Sequence, residues 1–220
     1  GVIRGEELVH KWQSNPTLKL AHEHGMRFHF VSRSEYRLKN EPSFLQNLKE
    51  RFGEVYLLPE GGTNALAVKG CSEILTEEDA AFDYICSAAG TGGTAAGLIH
   101  ASLPHQTVLA FPALKGNFLL DEIRTFVQHE RWQLITDYHF GGYAKVDQQL
   151  IAFINLFKHE TGIPLDPIYT GKMLFGIFDL VKRGVFAPGT QILAIHTGGL
   201  QGIEGMNRIL KKKNLPLLEI

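Results

Sequence analysis

Apolar residues along the chain fall into two kinds of run. Short, nearly continuous ones at Arg27–Val31, Val55–Leu58, Tyr84–Cys86, Thr107–Phe111 and Gln191–His196 suit strands buried on both faces of a parallel sheet. Between them, Ser43–Arg51, Ala65–Leu75, Thr94–Ser102, Phe118–Glu130, Gln148–His159 and Met173–Lys182 place apolar residues three and four apart, the helical period. The opening Gly1-Val2-Ile3-Arg4 reads as the end of a strand. Alternation of this kind predicts an α/β fold of three layers, mainly parallel sheets with helices on both faces.

Glu60-Gly61-Gly62-Thr63-Asn64 closes one predicted strand and opens a helix with a plausible cap. A domain crossover is therefore expected there, with a partial small α/β domain over residues 1–60 and a large one over 61–220. Arg131–Lys145 fits neither period and reads as a long loop, rich in aromatic residues around Gly141-Gly142.

Composition narrows the function. The 22 basic residues of the 220 are balanced by 23 acidic ones, so the basic excess expected of a nucleic-acid binder is missing. Two cysteines, Cys71 and Cys86, supply neither a disulfide framework nor zinc-ligand spacing, and no metal site is expected. No apolar stretch approaches the roughly 20 residues needed to cross a bilayer. The expected setting is cytoplasmic, without membrane or nucleic-acid partners.

The strongest chemical signal is Tyr84-Ile85-Cys86-Ser87-Ala88-Ala89-Gly90-Thr91-Gly92-Gly93-Thr94-Ala95, a strand running through a glycine turn into a helix of small residues. Glycines let several backbone N–H groups converge on one anion, and the helix N-terminus adds positive partial charge. The lysine of a nucleotide-binding P-loop is absent, and no acidic residue after the next strand completes a dinucleotide fingerprint. The same glycines would equally suit a tight turn required by packing alone. A second glycine turn, His196-Thr197-Gly198-Gly199, follows the last strand and could face the same site; His196 reads as a hydrogen-bonded core residue. In Leu165-Asp166-Pro167-Ile168-Tyr169-Thr170-Gly171-Lys172, proline stiffens the entry to a helix, and Lys172 reads as a solvated side chain near a helix start.

With Leu58-Pro59-Glu60-Gly61-Gly62-Thr63-Asn64-Ala65-Leu66 ahead of them, these elements resemble the D-cysteine desulfhydrase and 1-aminocyclopropane-1-carboxylate deaminase family. That family is pyridoxal-phosphate-dependent and has the tryptophan-synthase-β type of fold. The resemblance implies that Gly90, Thr91, Gly92, Gly93 and Thr94 bind the phosphate of pyridoxal 5'-phosphate. It further implies that Thr170 reaches the pyridine nitrogen and that Thr197 and Gly198 line the ring. Tyr169 and Tyr143 would act beside a small amino-acid substrate, and the protein would be a homodimer. In the family the lysine that bonds the cofactor and a Ser-Asn-His segment stand ahead of the region matching Gly1, so the smaller domain is expected to be incomplete.

The resemblance also guides the choice of reaction. Members that open a cyclopropane ring resemble one another in having glutamate after the tyrosine and leucine after the histidine, where this chain has Thr170 and Thr197. A hydroxyl leaves the ring nitrogen unprotonated and the electron sink weaker, which suffices to expel a thiolate. The expected reaction is therefore β-elimination from D-cysteine to pyruvate, sulfide and ammonia. The alternatives are 1-aminocyclopropane-1-carboxylate deamination to 2-oxobutyrate and ammonia, and an inactive fragment lacking the covalent lysine.

Overall fold

The structure, a computed structural model, describes residues 1–219. The chain divides into two compact units, one over Gly1–Leu57 and one from Leu58 onward. In the first, β1 (Val2–Arg4) and β2 (His29–Val31) pair in parallel with Ile3 opposite Phe30. Three helices complete it: α1 (Pro16–Glu23), α2 (Arg33–Arg37) and α3 (Pro42–Phe52). The first two went unpredicted, although their start signals stand in the sequence. Asn15 Oδ1 accepts from the N–H groups of Thr17 and Leu18 ahead of Pro16, and Ser32 and Glu35 close a reciprocal capping box.

The second unit opens with α4 (Ala65–Cys71) and then carries β3 (Tyr84–Ala89), α5 (Gly93–Ala101), β4 (Thr107–Pro112), α6 (Phe118–Arg124) and β5 (Trp132–Leu134). It continues through α7 (Gln148–Thr161), α8 (Thr170–Lys182), β6 (Ile192–Ile195) and α9 (Gly202–Lys212). The four strands form a parallel sheet in the order β5-β4-β3-β6. Strand pleating sorts their side chains. Ile85, Val108 and Ala110 pack with Leu98 and Ile99 of α5 and Ile123 of α6, whereas Cys86, Leu109 and Phe111 pack with Met173 and Ile177 of α8. Helices thus cover both faces, and α7 and α9 add a further cluster around Leu150, Ile154, Ile203 and Met206.

Three expectations are corrected here. Val55–Leu58 forms no strand: among the described residues no backbone ladder pairs with it, and Tyr56 and Leu58 are exposed. Arg131–Lys145 is not loop throughout, because Trp132–Leu134 adds to β4 as an edge strand and Thr136–Tyr138 forms a short 3-10 turn. Three residues are too few to display a period of two. Lastly, α8 begins at Thr170, which brings Thr170, Gly171 and Lys172 into its buried first turn.

The sheet order decides where a ligand can sit. From β3 the chain winds outward through β4 to β5 and then returns to place β6 on the other side of β3. Such a reversal opens a crevice beyond the C-terminal ends of the two strands that flank it. Gly90–Gly93 follows β3 and Thr197–Gly199 follows β6, so both glycine turns meet at that crevice.

Candidate functional site

The crevice is a cavity of about 360 Å³ walled by residues 61–63 and 88–95 together with Ala67, Cys71, Tyr169, Thr197, Gly198, Gly199 and Gln201. Of the predicted site residues it brings together Gly90, Thr91, Gly92, Gly93, Thr94, Tyr169, Thr197 and Gly198. Gly92 adopts φ 88°, which favours glycine and lets the chain turn from β3 into α5. The first-turn N–H groups of α5 have no intrahelical acceptor and open at this end of the cavity.

Packing independently demands glycine here. A Cβ at Gly92 would stand 2.8 Å from Ile123 Cγ1, and one at Gly93 would stand 2.8 Å from Thr63 Oγ1. Thr63, which the motif reading left without a role, hydrogen-bonds Thr91, the two hydroxyl oxygens lying 2.6 Å apart. This bond ties the Gly61-Gly62-Thr63-Asn64 segment to the β3–α5 turn. Behind it, α4 and α5 approach closely because Gly97 has no side chain: a Cβ there would meet Val68 O at 2.7 Å and Cys71 Cβ at 2.4 Å.

Tyr169 forms the opposite wall. Its ring closes over Gly90, where a Cβ would lie 3.2 Å from the tyrosine Cε1. Burial first, then the neighbouring Tyr143 phenol and the Asp166 carboxylate, push its pKa up to about 12, so the phenol keeps its proton at neutral pH. Tyr143 is off the cavity wall and half exposed, with its ring centroid 6.2 Å from that of Tyr169.

Thr170 is placed differently from the expected ring contact. It is fully buried and absent from the wall, and its hydroxyl donates to Asp166 Oδ2 at 2.6 Å while accepting from the Asp166 N–H at 3.0 Å. Asp166, itself buried, also accepts from the backbone N–H groups of Ile168, Tyr169 and Thr170. This carboxylate organises the start of α8. His196 is exposed rather than a core residue; it meets Pro164 O through Nε2 and accepts from the Gly198 N–H at Nδ1, bracing the turn after β6.

Lys172 is not solvated. It is 1% exposed, and its Nζ donates to the carbonyls of His139 at 2.9 Å and Gly142 at 2.8 Å. Burial lowers its pKa to about 8, with Asp166 acting in the opposite direction. The ammonium is committed to backbone oxygens and is not part of the cavity wall.

A phosphate monoester suits the donors that are present. The wall offers the α5 N-terminus, the hydroxyls of Thr63, Thr91 and Thr94, and no acidic side chain to repel an anion. It also contains no lysine, so a covalent amine is not among these wall residues.

The model of one family, described as "Pyridoxal-phosphate dependent enzyme", matches residues 6–198. A putative 1-aminocyclopropane-1-carboxylate deaminase of Pyrococcus horikoshii is 32% identical over 75% of this chain and 55% of its own length. The bifunctional D-cysteine desulfhydrase/1-aminocyclopropane-1-carboxylate deaminase of Arabidopsis thaliana, described as mitochondrial, is 30% identical over 81% of this chain and 51% of its own. The chain thus spans about half the length of these two relatives. A crystal structure of an ACC deaminase homologue superposes with a TM-score of 0.76 at 28% identity, covering 96% of this chain and 69% of that one. With the family model matching residues 6–198, most of its length, the chain belongs to the pyridoxal-phosphate dependent enzymes.

Proposed function

We propose that this chain carries the phosphate-binding unit of a lyase that eliminates the β-substituent of D-cysteine, giving pyruvate, sulfide and ammonia. One observation carries the reading: the glycine turn at the N-terminus of α5 lines a cavity whose other wall is Tyr169, whose phenol burial holds in the protonated form. Pyridoxal phosphate, when bound, supplies an electron sink for the charge left at Cα. In this reading the N–H groups and hydroxyls of residues 90–94 hold the phosphate, and Thr197 and Gly198 line the ring. Tyr169 holds a proton at Oη for hydrogen bonding to the substrate, and half-exposed Tyr143 beside it connects that proton to water. No carboxylate stands among the described wall residues, which suits the loss of a good leaving group such as thiolate.

Ring opening of 1-aminocyclopropane-1-carboxylate is the second reading, favoured by what the Pyrococcus and Arabidopsis relatives are called. Steady-state kinetics of the full-length protein on both substrates separate the two. At least tenfold higher kcat/KM for D-cysteine is expected, together with a loss of about tenfold on that substrate in Thr197→Leu, or about 1.4 kcal/mol. Preference for the cyclopropane would reverse the choice, and turnover of neither would remove the lyase reading.

A further inference from the structure

The backbone between His139 and Lys145 is unusual. Phe140, Gly141, Gly142 and Ala144 have φ of 53°, 91°, 118° and 54°, so two residues that carry a Cβ sit in the left-handed region. Such a segment persists only where its surroundings over-determine it. Local bonds contribute: Gly142 N–H donates to His139 O at 3.0 Å, Lys145 N–H to Gly142 O at 3.1 Å, and Gly141 N–H to His139 Nδ1 at 2.9 Å. The Phe140 ring also packs edge-on against Phe175 of α8, the centroids 5.0 Å apart.

The remaining restraint comes from outside the loop. Lys172, three residues after Tyr169, sends its Nζ beneath the segment to the carbonyls of His139 and Gly142, 33 and 30 residues earlier in the chain. The residue after Gly142 is Tyr143, which meets Tyr169. We propose that Lys172 is a positioning residue: its clamp on the carbonyls of His139 and Gly142 holds Tyr143 against Tyr169 at the cavity wall. A buried lysine usually invites the view that it is the nucleophile. Here both bonds run to backbone oxygens, and charge-assisted bonds of this kind suit a fixed clamp.

The inference rests on the proposed role of the two tyrosines, and its test separates the two. In the full-length protein without added cofactor, amide hydrogen exchange at Gly141, Gly142 and Tyr143 should quicken at least tenfold in Lys172→Met, which keeps the length of the side chain but removes its donors. Exchange within β3 and α5 should stay unchanged, and Lys172→Arg should restore much of the protection. Unaltered exchange in the loop would overturn the clamp.

Kinetics on D-cysteine then ask whether the clamp acts through Tyr143. Lys172→Met alone should lower kcat/KM at least tenfold, yet by less than twofold when Tyr143→Phe is already present. Multiplicative losses would refute action through Tyr143. A Tyr143→Phe protein with unchanged kinetics would refute the tyrosine's role, with the exchange result still standing. Should Lys172→Met not fold, the wild-type protein still decides. Lys172 should be acetylated at least tenfold more slowly than exposed Lys182 or Lys211, and equal reactivity would overturn a buried clamp.

Discussion

Gly97 offers the sharpest test of how the site is assembled. Replacing it with alanine adds one methyl group between α5 and α4, 2.4 Å from Cys71 Cβ and 2.7 Å from both Cys71 C and Val68 O. Two of these three atoms are backbone and cannot rotate away. Restoring ordinary contact near 3.5 Å requires the helices to part by roughly 1 Å. Overpacking of this kind costs about 1–3 kcal/mol, against which helical alanine regains about 0.5–1 kcal/mol over glycine. A net loss of about 1–2 kcal/mol is expected. Gly70, near the end of α4, is the control, because a Cβ there would meet nothing within 4 Å. Gly70→Ala should therefore stabilise by about 0.5–1 kcal/mol. Urea titrations followed by circular dichroism would show the denaturation midpoints moving in opposite directions. Since Thr63 and Thr91 join the two segments just ahead of these helices, Gly97→Ala should also weaken phosphate binding measured by calorimetry. A Gly97→Ala protein as stable as Gly70→Ala would refute the close approach of α4 and α5.

Other substitutions probe single contacts. Gly93→Ala, whose new Cβ would stand 2.8 Å from Thr63 Oγ1, should weaken inorganic phosphate binding about tenfold, or ~1.4 kcal/mol, and unchanged calorimetric affinity would count against the cradle. Tyr138→Phe removes the 2.7 Å hydrogen bond to Asp179 Oδ2 and should cost about 1 kcal/mol in urea unfolding; no change would show that the bond contributes nothing net. Lys172, ordinarily near 10.5 and lowered to about 8, releases its proton in the folded state before the unfolded chain does. Stability relative to Lys172→Met should therefore rise with pH between about 8 and 10.5, by at most about 1.4 kcal/mol per unit, and a flat difference would contradict the buried ammonium.

The parts legible in the sequence are those that depend on neighbours along the chain. The run from Tyr84 to Ala101 announces strand, turn and helix by itself, since unbroken apolar residues, then glycines, then small helix formers leave few other local solutions. Asn15-Pro16 and Ser32-x-x-Glu35 were equally readable as helix starts, and Ile203, Met206 and Leu210 carry the spacing of the unpredicted α9. The parts that were not legible depend on residues distant in sequence. Val55–Leu58 has the composition of a strand, but a strand also needs a partner ladder. Thr63 becomes part of the site through Thr91, 28 positions later, and Thr170, off the cavity wall, donates its hydroxyl hydrogen bond to Asp166 Oδ2. Lys172 is the plainest case. Sequence identifies a lysine near a helix start, whose default surroundings are water. Only the folded chain brings the carbonyls of His139 and Gly142 within reach of its ammonium, and those two hydrogen bonds offset part of the desolvation, which still lowers its pKa to about 8.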